Sequence, residues 1–234
     1  MFDYSILRDT YIHSQNTLKP HTNMRSDKPC LFEGDAPDAV CLNGVWKFAY
    51  SEAENGYEGF EKSDYDVSSW DEIAVPSHIE LNGYSAPRYI NTGFTFTGKN
   101  DLNPPEIPPA EENPCGCYVT EFDMPETWKN DERKVICFQG VETAFCVYLN
   151  GEYVGYSEDS FTPSEFDITD YVKEKNNRLC VRVFRYSTAI WLEDQDFWRL
   201  SGIFRDVVVY RTPKVYLQEW YRLHLHLQIR RCCW

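Results

Sequence analysis

Hydrophobic and polar residues alternate with a period of two in several short stretches of this chain. They are GVWKFAY (44–50), VICFQGV (135–141), AFCVYLNGEYVGY (144–156), RLCVRVFRY (178–186) and FRDVVVYR (204–211). All are rich in β-branched and aromatic residues, which suit a pleated, half-buried surface, so each predicts a strand. Asn150-Gly151 lies between two of these runs and predicts a two-residue hairpin turn, because both residues tolerate positive φ. Regular helix is nearly absent from the pattern. ITDYVKEK (168–175) predicts one turn or two at most.

Many short strands with turn signals between them indicate an all-β jelly-roll sandwich, of the galactose-binding-domain type, over residues 42–213. Alternation places Trp46, Phe48, Phe138, Phe145, Val147, Leu179, Val181 and Val183 in its core. Residues 1–41 carry little periodicity and contain Pro20, Pro29 and Pro37, so they read as an extended, partner-dependent arm. Segment 94–115 carries Pro104, Pro105, Pro108, Pro109 and Pro114, which exclude a central strand and predict a long crossing loop.

The tail breaks the pattern. After Glu219 the chain WYRLHLHLQIRRCCW holds no acid, in a sequence that has 37. Residues 214–234 therefore read as a truncated or aberrant end, loosely attached to the rest. As a metal pair, His224 and His226 lack a third ligand nearby.

At 234 residues the chain is long enough for one large domain. A net charge of -14 argues against nucleic acid or an anionic membrane as partner, since both repel an acidic surface. No apolar run approaches the roughly 20 residues a membrane helix needs. The N-terminus shows no basic start, apolar core or small-residue cleavage site. Nine cysteines are scattered, several inside apolar runs, as reduced cysteine behaves in a core. Cys115-Gly116-Cys117 and Cys232-Cys233 are joined by no second pair at zinc spacing. The expected compartment is the cytoplasm.

Chemistry concentrates in WLEDQDFWRLSGIFRDV (191–207). Glu193, Asp194 and Asp196 stand among Trp191, Phe197 and Trp198, with Arg199 and Arg205 behind. Such a cluster reads either as a surface ion-pair network or as the polar and aromatic wall of a sugar cleft.

Taken in order, LNGVWKFAY (42–50), VPSHIELNGYSAPRYIN (75–91), ENPCGCY (112–118), FQGVETAFCVYLNGEYVGYSEDSFTPSEFDIT (138–169), NRLCVRVFRYS (177–187) and the 191–207 segment resemble the N-terminal sugar-binding domain of family 2 glycoside hydrolases. The branch is that of the large β-galactosidases. The resemblance implies that Asn91, of the YIN motif, hydrogen-bonds galactose. It implies that Asp196, the last acid of LEDQD, binds a sugar hydroxyl and contributes to a sodium site. An amide donates and accepts at once, and an ionised carboxylate is a strong acceptor and a hard cation ligand. The competing readings are a turn cap for Asn91 and an ion pair with Arg199 or Arg205 for Asp196. Glu193 and Asp194 read as structural.

Two glutamates of a (β/α)₈ barrel carry the retaining hydrolysis in that family. This sequence supplies neither the barrel, nor the magnesium site, nor the other sodium ligands. A retaining pair needs carboxyls roughly 5–5.5 Å apart with one kept neutral, and an acidic surface loop offers no such environment. No catalytic residue is assigned. The expectation is a sugar-binding fragment of a β-galactosidase, inactive alone and binding neither sodium nor magnesium well. Its expected partners are galactose or a β-galactoside, weakly held, and a barrel-bearing chain or a second copy. The alternatives are a free carbohydrate-binding module and a complementing subunit of a split enzyme.

Overall fold

A computed structural model describes residues 2–19, 38–91, 93, 102–128, 132–193, 196–213 and 215. The strands, in chain order, begin with β1 (Ser14–Gln15), β2 (Ala39–Cys41), β3 (Gly44–Ser51), β4 (Asp71–Val75) and β5 (Arg88–Ile90). They continue with β6 (Cys115–Phe122), β7 (Arg133–Phe138), β8 (Val141–Glu142), β9 (Ala144–Leu149) and β10 (Glu152–Ser157). The last are β11 (Ser164–Asp167), β12 (Asn177–Phe184), β13 (Phe197–Arg199), β14 (Gly202–Ile203) and β15 (Val207–Thr212). A single short helix, α1 (Ile190–Glu193), is the α-helical content of the described residues. No helix among them is long and apolar enough to cross a membrane.

A seven-stranded sheet runs β1-β10-β9-β12-β6-β3-β4, and a four-stranded sheet runs β11-β7-β15-β2. Neighbouring strands pair antiparallel throughout. This is the expected sandwich. The eight core residues read from the sequence are all buried between the sheets, with Phe138 and Phe145 packed ring to ring at 5.0 Å. The β9–β10 hairpin turns at Asn150 (φ 56°) and Gly151 (φ 90°), a pair of left-handed residues whose twist matches the strands. In the 168–175 segment Tyr171 and Val172 N–H both bond to Ile168 O, which is one turn and no more.

The central strands differ from the half-buried pattern in one respect: both faces are covered. On β9, Phe145, Val147 and Leu149 face the other sheet, while Ala144, Cys146 and Tyr148 belong to a second apolar layer on the outer face. On β12, Leu179, Val181 and Val183 face inward and Cys180 and Phe184 face outward. Alternation here distinguishes two apolar layers rather than core from solvent.

The outer layer is completed from the N-terminus. Tyr4–Arg8 form a 3₁₀ turn, capped by the Asp3 carboxylate accepting from Ser5 N. Phe2, Ile6 and Leu7 are buried in that layer, with the Phe2 ring stacked 5.5 Å from Phe184. Arg8 then grips the buried Glu54 with two hydrogen bonds of 2.9 and 3.0 Å, and β1 joins the edge of β10. So residues 2–19 correct the expectation of an extended arm awaiting a partner. Their apolar side chains have a partner in their own sheet, and burial of such groups is favourable wherever a matching face exists. The tail from Lys214 on, apart from Val215, and residues 94–101 of the Pro-rich segment lie outside the described residues.

Candidate functional site

Two sequence-distant motifs meet as a two-stranded ribbon. β5 carries Arg88-Tyr89-Ile90 of the YIN motif, and β13 carries Phe197-Trp198-Arg199 of the acidic segment. They pair antiparallel as Phe197↔Ile90, Trp198↔Tyr89 and Arg199↔Arg88. One residue beyond the Phe197↔Ile90 pair, on each strand, stand Asn91 and Asp196, the two residues that the resemblance assigns to sugar. Both are exposed.

Asp196 accepts a 2.6 Å hydrogen bond at Oδ1 from the hydroxyl of Tyr89. That bond to the carboxylate holds the Tyr89 proton and raises its pKa above the ordinary phenol value. Arg205, one of the cations considered as a partner for Asp196, donates instead to Phe161 O at 2.7 Å. Beside the pair lies an aromatic surface: the Tyr89 and Trp198 rings are 5.7 Å apart, and their residues are 54% and 56% exposed. A tilted aromatic pair next to a carboxylate is the kind of surface a sugar ring covers.

The ribbon is held from behind. Arg199 is buried, and its carbonyl accepts from Arg185 Nη2 at 3.1 Å. Arg185 is ion-paired to Glu80, and Glu80 also accepts from the N–H and hydroxyl of Ser201, each at 2.7 Å. A buried carboxylate with this many donors pins the segment after β13. On the other side, Glu193 accepts from Ser160 N (3.0 Å) and Ser160 Oγ (2.6 Å), tying α1 to the loop after β10. Burial raises the Glu193 pKa against those bonds. Trp191 Nε1 donates to Glu106 O at 2.9 Å, which docks the Pro-rich segment beside α1. Asp194 lies outside the described residues.

Sequence reasoning passed over Tyr89, although it is the first residue of YIN, and passed over the Glu80–Arg185 pair, for which the linear sequence carries no signal. Among the described residues no group of three or more His, Cys, Asp or Glu side chains is placed to hold a metal ion. Asp196 offers a hard oxygen donor of the kind a sodium or magnesium ion takes.

The family model for the glycosyl hydrolases family 2 sugar binding domain matches residues 40–213. This chain belongs to that family. It is 46% identical over 231 residues to a β-galactosidase of Halalkalibacterium halodurans, covering 97% of this chain and 22% of that one. It is 52% identical over 179 residues to a β-galactosidase of Clostridium acetobutylicum, covering 76% and 20%. A β-galactosidase large subunit of Leuconostoc lactis is 44% identical over 191 residues, covering 76% and 30%. The chain thus spans about a fifth to a third of the length of these relatives. Among solved structures, a β-glucuronidase from an uncultured Clostridium superposes with a TM-score of 0.55 at 26% identity, over 79% of this chain and 31% of that one.

Proposed function

We propose that this chain is the sugar-binding domain of a β-galactosidase, with Asn91 and Asp196 as polar anchors for a terminal galactose. The observation that carries the reading is the β5–β13 ribbon, whose register brings both motifs to one end beside the exposed Tyr89 and Trp198 rings. An amide and a carboxylate together satisfy adjacent hydroxyls, while an aromatic face covers the apolar side of the ring. Catalysis is assigned to no residue of this chain. Asp196 is exposed and hydrogen-bonded to a phenol, which is unlike the close carboxyl pair, one of them neutral, that retaining hydrolysis uses.

A sugar held from one side keeps much of its surface in water, so binding by the chain alone falls in the roughly millimolar range. The test is a galactose titration followed by NMR shifts of Asn91 and Trp198, with chromogenic galactoside turnover measured in parallel. Asp196→Ala should abolish the shifts. Saturation unaffected by that change would remove Asp196 from the site, and turnover lost in Asp196→Ala would place chemistry in the acidic loop.

The relatives named as large subunits favour a second arrangement, in which this domain works within a multi-chain enzyme and its exposed Trp198 face meets a barrel-bearing partner. Sodium and magnesium would then be held chiefly by that partner. We place the chain in the cytoplasm, where its buried, unpaired thiols stay reduced.

A further inference from the structure

The outer layer of the seven-stranded sheet holds a cation that, among the described residues, is ion-paired to no carboxylate. Arg182 on β12 is 2% exposed, and across the ladder it stands beside Cys117 on β6 and Cys146 on β9. Its guanidinium donates to Glu54 O (3.1 Å), Gly56 O and Tyr57 O (3.5 Å), and to Cys115 Sγ at 3.3 Å. The Phe60 and Tyr4 rings lie 4.9 and 5.9 Å from its central carbon. Carbonyl dipoles and ring faces stabilise a cation without neutralising it. A guanidinium does not give up its proton in a protein, and an uncompensated buried charge is costly.

The obvious counter-ion is already committed. The Glu54 carboxylate holds Arg8 with both oxygens and also accepts from Asn113 Nδ2 at 2.9 Å. Among the described residues Arg182 forms no ion pair with Asp or Glu.

We infer that Cys115 is ionised and that its thiolate is the counter-ion of Arg182, forming a buried thiolate–guanidinium pair whose sulfur becomes reactive towards soft electrophiles only when its cover is opened. Cys117, two residues along the same strand and on the same face, has its Sγ 3.8 Å from Gly56 O, a carbonyl that Arg182 also holds. Hydrogen bonding from Cys117 and the neighbouring guanidinium bring the Cys115 thiol down to about 7, while burial pushes Cys117 up and Cys146 to about 12. The competing arrangement is a protonated Cys115 that donates to Ala53 O across 3.3 Å. That carbonyl already accepts from Ser51 Oγ at 2.9 Å and Gly56 N at 3.2 Å, so it has no need of the thiol. Protonation would also leave Arg182 with neutral partners alone.

Thiolates, not thiols, attack electrophiles. With iodoacetamide the Cys115 sulfur would form an S–C bond and expel iodide, with no proton to be placed. Two measurements test the assignment. Following the infrared S–H band of the unsubstituted chain against pH, one thiol's intensity should vanish between about pH 6 and 8, below the ordinary range, and Cys115→Ser should lack that step. Arg182→Met should move the step above the ordinary thiol range. A band that fades only at higher pH, or fades identically in Cys115→Ser, overturns the pair whether or not the Arg182 variant folds. Second, Tyr4→Ala opens the cover, and peptide mass mapping should then find Cys115 alkylated at least tenfold faster than Cys117 or Cys146. Labelling of either neighbour first would contradict the assignment.

Discussion

The hydroxyl of Tyr89 donates to Asp196 across 2.6 Å, joining residues 107 positions apart in the chain. The bond orients one carboxylate oxygen inward and leaves the rest of the group for a ligand. It also raises the pKa of the phenol, whose proton the carboxylate accepts. Asp196→Ala should therefore return the Tyr89 titration to lower pH, read from its ring signals by NMR. Tyr89→Phe should leave thermal stability nearly unchanged while weakening the galactose response. A Tyr89 titration indifferent to Asp196 would mean that the bond is not formed in solution.

Behind the ribbon, Arg185 neutralises Glu80 in a buried site where each residue is less than a tenth exposed. Arg185→Met should destabilise the domain by about 3–5 kcal/mol, because it leaves a carboxylate buried without its charge partner. Adding Glu80→Gln to that variant should recover part of the loss, since the group left behind is then neutral. Urea midpoints of the three variants measure this. If the double variant is no better than the single one, repacking and not charge is at fault.

Glu193 joins α1 to the loop after β10 by accepting from both the main-chain N–H and the hydroxyl of Ser160. Replacing it by Ala should cost about 1–3 kcal/mol, the usual loss when charge-assisted bonds at a partly buried site are removed. Hydrogen exchange at Ser160 N–H should accelerate more than exchange in β12. Uniform acceleration would show that the loop is held by something else.

Glu142, on β8, has its pKa raised to about 8 by burial, the first cause, with Arg185 opposing and Glu80 adding to the rise. A carboxyl whose folded pKa lies above its unfolded value keeps its proton in the native state while the unfolded chain loses it. Stability therefore falls as pH rises from about 4.5 towards 8, and levels off above that. Glu142→Gln imitates the protonated form, so it should raise Tm at pH 8 and change it little near pH 4.5, as calorimetry would show. An equal gain at both values would assign the effect to packing.

Gly116, in the middle of β6, sits against the Phe48 and Ile79 side chains, and an added Cβ would lie 2.8 Å from each. Gly116→Ala should cost about 1–3 kcal/mol by overpacking, visible as a lower Tm with the strand order unchanged. A neutral substitution would show that Phe48 and Ile79 have room to give.

Strand positions, the Asn150-Gly151 hairpin and the inward set from Trp46 to Val183 were legible in the sequence. Each depends on a few consecutive residues: the side-chain period of a strand, or the positive φ that Asn and Gly tolerate. The family was legible too, because its motifs are local strings, and with it came Asn91 and Asp196 as candidates. Tertiary structure alone decided what those residues touch. That Tyr89 grips Asp196, that Glu80 reaches Arg185, and that Phe2, Ile6 and Leu7 roof the outer face depend on where the chain's long loops bring distant segments together. The outer roof also explains the unbroken apolar run of β9, AFCVYL, which has both faces buried. Periodicity records which side of a strand a residue occupies, and only the assembled layers determine what lies on that side.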